Sequence, residues 1–349
     1  MELSTIIDEA VIRNASDIHI TAGVPPIVRI SGELIRLGDE RLLPDDTERI
    51  ANQIFEIAGY KNVIHERGEI DFSFSVPQRG RFRCNIYKQR GSIAIAIRLI
   101  PMDVPDITTL NIPDAIINLW TKTRGLILVT GPTGVGKSTT LAALIDVINS
   151  RRNCHIITLE DPVEYLHRHK NGIISQREIG TDSKSFNNAL RAALREDPDV
   201  IMIGEMRDTE TIATALTAAE TGHLVFATLH TMGAAKTIDR IVDSFPDSQQ
   251  QQVRVQLASV LQAVVTQQLL PTRDGMIPAF EIMMCTHAVS NLIREGKTHQ
   301  IDNMIQTGGR YGMQTMDGYL LTLYKKGFIS KEDLLSYSFD PELIQKLTT

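Results

Sequence analysis

The sequence predicts an α/β protein, a parallel sheet covered by helices, preceded by a smaller α+β domain. Three observations lead there. Short apolar runs at residues 126–130, 155–159, 200–203 and 224–230 alternate with helical stretches near 139–149, 185–195 and 209–221, the pattern of buried parallel strands joined by crossover helices. The first run leads into Gly131-Pro132-Thr133-Gly134-Val135-Gly136-Lys137-Ser138, which fits the phosphate-binding loop G-x-x-x-x-G-K-[ST]. Residues 1–100 have another rhythm, and Pro101, Pro105 and Pro113 mark residues 101–113 as a linker to the second domain, 114–349.

In chain order, Leu3, Ile6, Ile7, Ala10 and Val11 form a helical stripe, and Ser16-Asp17-Ile18-His19-Ile20 begins a strand that Pro25-Pro26 breaks. Ile27-Val28-Arg29-Ile30 and Leu34-Ile35-Arg36-Leu37 flank Ser31-Gly32-Glu33 as a hairpin. A helix follows Pro44 through Ile50, Ile54 and Ile57, and Phe72, Phe74 and Val76 alternate as a strand. Phe82, Cys84 and Ile86 share a face of the next strand; Ile93, Ile95, Ile97 and Leu99 share a face of the one after. If those faces align, Arg98 lies opposite Arg81 or Arg83. Like charges directly opposite are destabilising unless an anion lies between or above them; the alternative is a solvated basic face.

After the phosphate loop, Leu141, Leu144, Ile145 and Ile148 recur at helical spacing. The glycines therefore sit between a strand end and a helix N-terminus, where free N–H groups and the helix dipole favour phosphate oxygens. In this pattern Lys137 reaches the β- and γ-phosphates and Ser138 holds Mg²⁺. Residues 131–138 and Thr139 form the expected cofactor site, for ATP and Mg²⁺. From about residue 246 the chain reads as mostly helical. Val253, Leu257, Val260, Leu261 and Val264 make one stripe, Leu320, Leu323 and Tyr324 belong to another, and Ser330 with Asp333 caps a final helix.

Composition narrows the partners. The 349 residues are 42% hydrophobic and 22% charged, with a net charge of −6. No long basic run appears, which argues against free nucleic acid, and no apolar run reaches membrane-spanning length. Glu2, Asp8, Glu9 and Asp17 make the first 20 residues unlike a secretory signal. Cys84, Cys154 and Cys285 are too scattered for a metal pair or a disulfide framework, which fits a reducing cytoplasm.

Open parallel sheets bind ligands at the carboxyl ends of their strands. There the sequence places Glu160-Asp161-Pro162-Val163-Glu164, Gly204-Glu205-Met206-Arg207-Asp208 and His230-Thr231. Mg²⁺ takes carboxylates, waters and phosphate oxygens, and hydrolysis needs a carboxylate to orient water. Glu205 suits the metal and water shell and Glu164 the water, though sequence does not fix the split; either can instead serve as a helix N-terminal acid. His230 can donate to a γ-phosphate or be structural, and His223, after the helix-ending Gly222, is a weaker candidate for the nucleotide.

Four segments stand in order: the phosphate loop, Ile157-Thr158-Leu159-Glu160-Asp161-Pro162-Val163-Glu164, residues 195–208, and Thr221-Gly222-His223-Leu224-Val225-Phe226-Ala227-Thr228-Leu229-His230-Thr231. They resemble the Walker A, Asp-box, Walker B and His-box motifs of the type II/IV secretion ATPases, most of all the pilus-retraction branch. The similarity extends to Ser16-Asp17-Ile18-His19, Asn291-Leu292-Ile293-Arg294-Glu295 and Ile305-Gln306-Thr307-Gly308-Gly309. It implies a PAS-like N-terminal domain and a RecA-like P-loop ATPase domain. It further implies a homohexamer at the cytoplasmic face of the inner membrane, working on a pilus platform protein without inserting in the membrane or binding nucleic acid directly. By the same resemblance Glu164 matches the Asp-box glutamate and Glu205 the Walker B glutamate. The segment with Arg81, Arg83 and Arg98 matches N-domain arginines that complete a nucleotide site. In the late motif, tied to retraction, Ser290 replaces an expected arginine. A pilus-assembly or type II secretion ATPase usually adds a four-cysteine zinc module, not seen here. A nucleic-acid translocase shares the fold but meets an acidic chain, and a non-hydrolysing scaffold would not need Lys137, Glu164 and Glu205 together.

Overall fold

The computed structural model describes residues 2–101, 103–273 and 275–348. It contains two compact units: Met1–Asp103 with Pro162–His167 and Gly180–Asp182, and Val104–Asp161 with Arg168–Ile179 and Ser183–Thr349.

The first unit runs α1 (Leu3–Ile12), β1 (Asp17–Ile20), β2 (Ile27–Ile30), β3 (Glu33–Arg36), α2 (Pro44–Ala58), α3 (Ile64–Arg67), β4 (Glu69–Val76), β5 (Gly80–Gln89) and β6 (Ser92–Ile100). Its strands form one antiparallel sheet, ordered β3-β2-β1-β6-β5-β4. Both tight hairpins turn on two residues of positive φ, Ser31-Gly32 and Arg90-Gly91. That backbone matches the twist of the strands it joins. Helix α2 starts with Pro44 at its first turn, the Asp46 carboxylate accepting the Leu43 N–H, and stops at Gly59 in the left-handed region. It buries Ile50, Ala51, Ile54 and Phe55, whereas Ile57, expected on that stripe, faces solvent.

The second unit runs α4 (Asp114–Ile117), β7 (Gly125–Thr130), α5 (Lys137–Arg151), β8 (His155–Glu160), β9 (Ile173–Glu178), α6 (Phe186–Ala193), β10 (Val200–Ile203), α7 (Thr209–Glu220), β11 (Leu224–Leu229), α8 (Ala234–Asp243) and α9 (Asp247–Val260). It continues through β12 (Leu261–Thr272), β13 (Gly275–Met284), α10 (His287–Arg294), α11 (Ile301–Thr307), α12 (Met316–Lys325), α13 (Lys331–Tyr337) and α14 (Pro341–Leu347). The sheet order is β13-β12-β7-β11-β10-β8-β9, parallel except for the β12–β13 pair. Alternate residues feed two cores. Leu126 and Leu128 of β7 join Ile201, Val225 and the helices α6–α9 on one face. Ile127 and Val129 join Phe226, Val265 and the α5 residues Leu141, Leu144 and Ile145 on the other. Every residue of β7, β10 and β11 is buried.

Three expectations need correction. The region from 246 is helical at its start, in α9, but a two-stranded hairpin, β12 and β13, interrupts it before the remaining helices. The helical stripe ends at Val260, and Leu261 and Val264 belong to β12, paired with β7 and β13. A strand buried on both faces is apolar throughout, so period alone does not separate it from a buried helix. Strand β9 was not anticipated, because as the sheet's edge it leaves Ile173 exposed and Ser175, Gln176 and Arg177 half-buried, with no apolar run. Ser330 and Asp333 do form a capping box, but on α13, and α14 follows with Asp340 as its cap and Pro341 at its first turn.

Phe226, fully buried in the central strand β11, tests this packing. Phe226→Ala should cost about 3–5 kcal/mol, read as an earlier chemical-denaturation midpoint of the second unit.

Candidate functional site

The loop between β7 and α5 combines a buried base with an open crest. Gly131 and Lys137 are buried; Pro132, Thr133, Gly134 and Ser138 are exposed. Gly131 has φ +136°, and a Cβ there would run into the backbone carbonyl of Gln267. Gly136 caps α5 from φ +86°. These two positions let the backbone fold closely enough to aim its N–H groups at an anion. Lys137 Nζ donates to the Gly131 and Pro132 carbonyls, each at 2.7 Å. Burial lowers its pKa, opposed by the nearby Glu205 charge. The ammonium thus rests on the loop's own oxygens, the kind of partner that phosphate oxygens would replace. The exposed Ser138 and the half-buried Thr139 lie in the first turn of α5.

Two strand ends beside the loop carry the chemistry. Glu205 follows β10 and is held between Arg207 Nε, 2.6 Å from Oε1, and His230 Nε2, 3.4 Å from Oε2. Its side chain is 13% exposed, against 50% for His230, which follows β11. Glu205 thus links Arg207 and His230, and the half-exposed imidazole lies on the edge of the sheet that carries the loop.

Other expected residues fall elsewhere. His223 precedes β11, and its carbonyl accepts the Gly125 N–H at the start of β7. A strand of six residues spans about 20 Å, so within one chain His223 is at the wrong end of the sheet for the loop's ligand. Within one chain His223 is thus set apart from the loop, unlike His230 at the other end of the same strand. The segment Pro162–His167, which carries Glu164, groups with the first unit. Arg98 does pair in register with Arg83, but the repulsion is met inside the unit. Arg98 Nε donates to Asp17 Oδ1 at 2.9 Å and Arg83 Nη2 to Asp71 Oδ2 at 2.8 Å. Burial works to raise the Asp17 pKa, yet Arg98 and Ser16 outweigh it and hold the carboxyl below its usual range. Arg81 Nη1 lies 3.5 Å from Ser75 Oγ. The cross-strand pair therefore needs no outside anion.

Sequence reasoning missed a brace on the loop. Gln267 of β12 is 2% exposed. Its Nε2 donates to the Val135 carbonyl at 2.8 Å and its Oε1 accepts Thr140 Oγ1 at 2.9 Å. Thr130, the last residue before the loop, meets Thr266 Oγ1 at 2.9 Å. A buried glutamine inside an apolar strand was the available signal, since such a group must find partners. Glu160, 8% exposed at the end of β8, is likewise held by Thr158 Oγ1 at 2.6 Å and Gln176 Nε2 at 3.2 Å.

The sequence profile of the family described as Type II/IV secretion system protein matches residues 2–296. This chain belongs to that family. The protein of Pseudomonas aeruginosa named Type IV pilus retractation ATPase PilT is 45% identical over 345 residues, 98% of this chain and 99% of that one. The protein of Neisseria gonorrhoeae named twitching motility protein is 47% identical over 312 residues, 88% of this chain and 82% of that one. Among solved structures, one described as the pilus retraction motor PilT with bound ADP aligns at a TM-score of 0.91 and 50% identity, covering 99% of each chain. In this type II/IV secretion system protein the fold is the mixed α/β architecture expected, an antiparallel N-terminal sheet and a larger parallel one.

The brace makes a prediction. Gln267→Leu leaves the Val135 carbonyl and Thr140 hydroxyl without their partners, at about 1–3 kcal/mol. Affinity for a fluorescent ADP should fall roughly tenfold with the far-ultraviolet circular dichroism unchanged; unaltered affinity would show that Gln267 does not shape the loop.

Proposed function

We propose that this secretion-family protein is a motor ATPase that hydrolyses ATP with Mg²⁺ and drives retraction of a type IV pilus. The observation that carries the reading is the loop at the end of β7 with Lys137, Glu205 and His230 gathered around it, in a chain that matches a named pilus retraction ATPase over nearly its whole length. In this reading ATP supplies the reactive phosphoanhydride and Mg²⁺ offsets its charge. The loop N–H groups and Lys137 bind phosphate oxygens. Ser138 and Glu205 are the residues that would hold the metal and its waters. Glu164 orients the attacking water, and His230 senses the terminal phosphate while Glu205 keeps it in place.

The same reading assigns Arg81, Arg83 and Arg98 to a site completed between neighbours of a homohexameric ring. Residues 1–100 then form the PAS-like domain, 101–113 the linker and 114–349 the motor domain. The ring works at the inner face of the cell membrane, against a platform protein of the pilus machine. Among the described residues no helix is long and apolar enough to cross a membrane, which fits peripheral attachment.

Phosphate release tests the chemistry. Lys137→Ala should abolish Mg²⁺-dependent turnover, and Glu164→Gln should keep ADP binding while slowing hydrolysis by about 10²-fold or more. Normal turnover by Glu164→Gln would assign the water to another residue. Deleting the gene tests the work done: the strain should keep or increase its surface pili and lose surface motility, and a strain without pili would point to assembly instead.

A further inference from the structure

Glu281 lies in the middle of β13 and is 5% exposed. Its Oε1 accepts the backbone N–H of Ala234, the first residue of α8, at 2.9 Å. Met316, the first residue of α12, lines the same cavity as Glu281, and its backbone N–H acts on the carboxyl to lower its pKa. Helix N-termini leave N–H groups without helical partners, and here one side chain caps α8 and faces the start of α12.

Each helix leads somewhere. Helix α8 begins four residues after His230, and Thr231 Oγ1 meets Thr237 Oγ1 of α8 at 2.7 Å. The segment before α12 is fixed to β13 by paired backbone bonds between Gln314 and Ile282, at 2.9 and 3.1 Å. Asp317 of α12 then accepts the Phe339 and Asp340 N–H groups at 2.6 and 2.9 Å, and Asp340 caps α14 through Leu343 at 3.0 Å. On the sheet, Glu281 stands opposite Thr266, which touches Thr130 beside the phosphate loop. A cavity of about 570 Å³, lined by Gly233, Ile305, Met316 and Phe339 among others, opens beside the carboxylate. It gives the two helix ends room to part.

We propose that Glu281 is a positioning residue that carries the state of the phosphate loop and His230 to the C-terminal helices α12 and α14. The inference rests on the nucleotide reading above and adds the route by which a filled loop moves a distant part of the chain. A carboxylate suits the place because both of its oxygens accept, so it can hold the Ala234 N–H and still offer an acceptor to the start of α12. Glutamine has one oxygen, and its amide nitrogen would turn a donor toward one of the two helix ends.

The joint is also titratable. Burial pushes the Glu281 pKa up to about 7; the Ala234 N–H lowers it, Asp302 raises it, the Met316 N–H lowers it and Asp317 raises it. Lys236 of α8 and Asp340 before α14 are the other charged groups around the cavity. A raised carboxyl pKa means that the stability this group contributes is present below its ordinary value of 4.5 and is lost as pH climbs through about 7. The ionised form is favoured at pH 8 and the protonated form at pH 6.

Hydrogen exchange of the full chain, with and without a non-hydrolysable ATP analogue plus Mg²⁺ and corrected for intrinsic rates, tests this. At pH 8 the analogue should protect residues 131–139 and change exchange at 234–237, 316–319 and 341–344. Glu281→Gln should keep the protection at 131–139 and lose the changes at 316–319 and 341–344. The unsubstituted protein at pH 6 should behave like the variant, an arm that needs no substitution to fold. Three results would overturn the inference alone: a protected loop with unchanged α12 in the parent, a variant that transmits as the parent does, or transmission at pH 6 equal to that at pH 8. An unprotected loop in the parent would overturn the nucleotide reading, and this inference with it.

Discussion

A strand buried on both faces has nowhere along its length to keep a charged group at low cost. Strands β7, β10 and β11 are under that constraint, since each is covered by helices on either side. Their polar residues are accordingly pushed to the strand ends. Because the strands are parallel and in register, all their carboxyl ends open on one edge. The phosphate loop, Glu205 and His230 share that edge for this reason, with no direct contact required to assemble them. Helix α5 completes the arrangement by starting there, so the N–H groups of its first turn face the same space.

Polar groups that do enter the sheet are paired. Thr130 with Thr266 and Gln267 with Val135 and Thr140 tie the loop's base to β12. A short glycine loop has little packing of its own, so its shape is borrowed from the neighbouring strand. In the first unit the same economy applies to exposed charge. Arg83 and Arg98 face each other, and Asp71 and Asp17 flank them, so a pair that looked repulsive is held between two carboxylates.

What the sequence made legible followed from how local each signal was. The loop, with its flanking strand and helix, is a contiguous pattern with one physical meaning, and the structure places Lys137, Glu205 and His230 together on one edge. The two hairpins were readable because Gly32 and Gly91 sit where positive φ is needed. Strands β12 and β13 were not, because Leu261, Val264 and Val265 are apolar whichever conformation they adopt, and only pairing with β7 decides it. His223 and His230 lie at opposite ends of β11 because the motif that contains them spans a whole strand, and sequence nearness does not reveal which end of the sheet a residue occupies. Asp17 and Asp71 were missed as partners for the arginines since both lie on other strands.

The hairpin of β12 and β13 also acts as a ruler. Its register sets Gln267 against Phe280 and Thr266 against Glu281, so the residue that shapes the loop and the one that joins two helix ends are fixed one step apart. Side chains alternate faces along a strand. Losing a single residue between Ala263 and Gln267, past the register shift after Leu261, would therefore turn the glutamine to the opposite side and present Gln268 to the loop, without altering any residue of the loop itself. Lineages descending from a common ancestor can vary the length of many surface segments freely, but this stretch can change only by substitution.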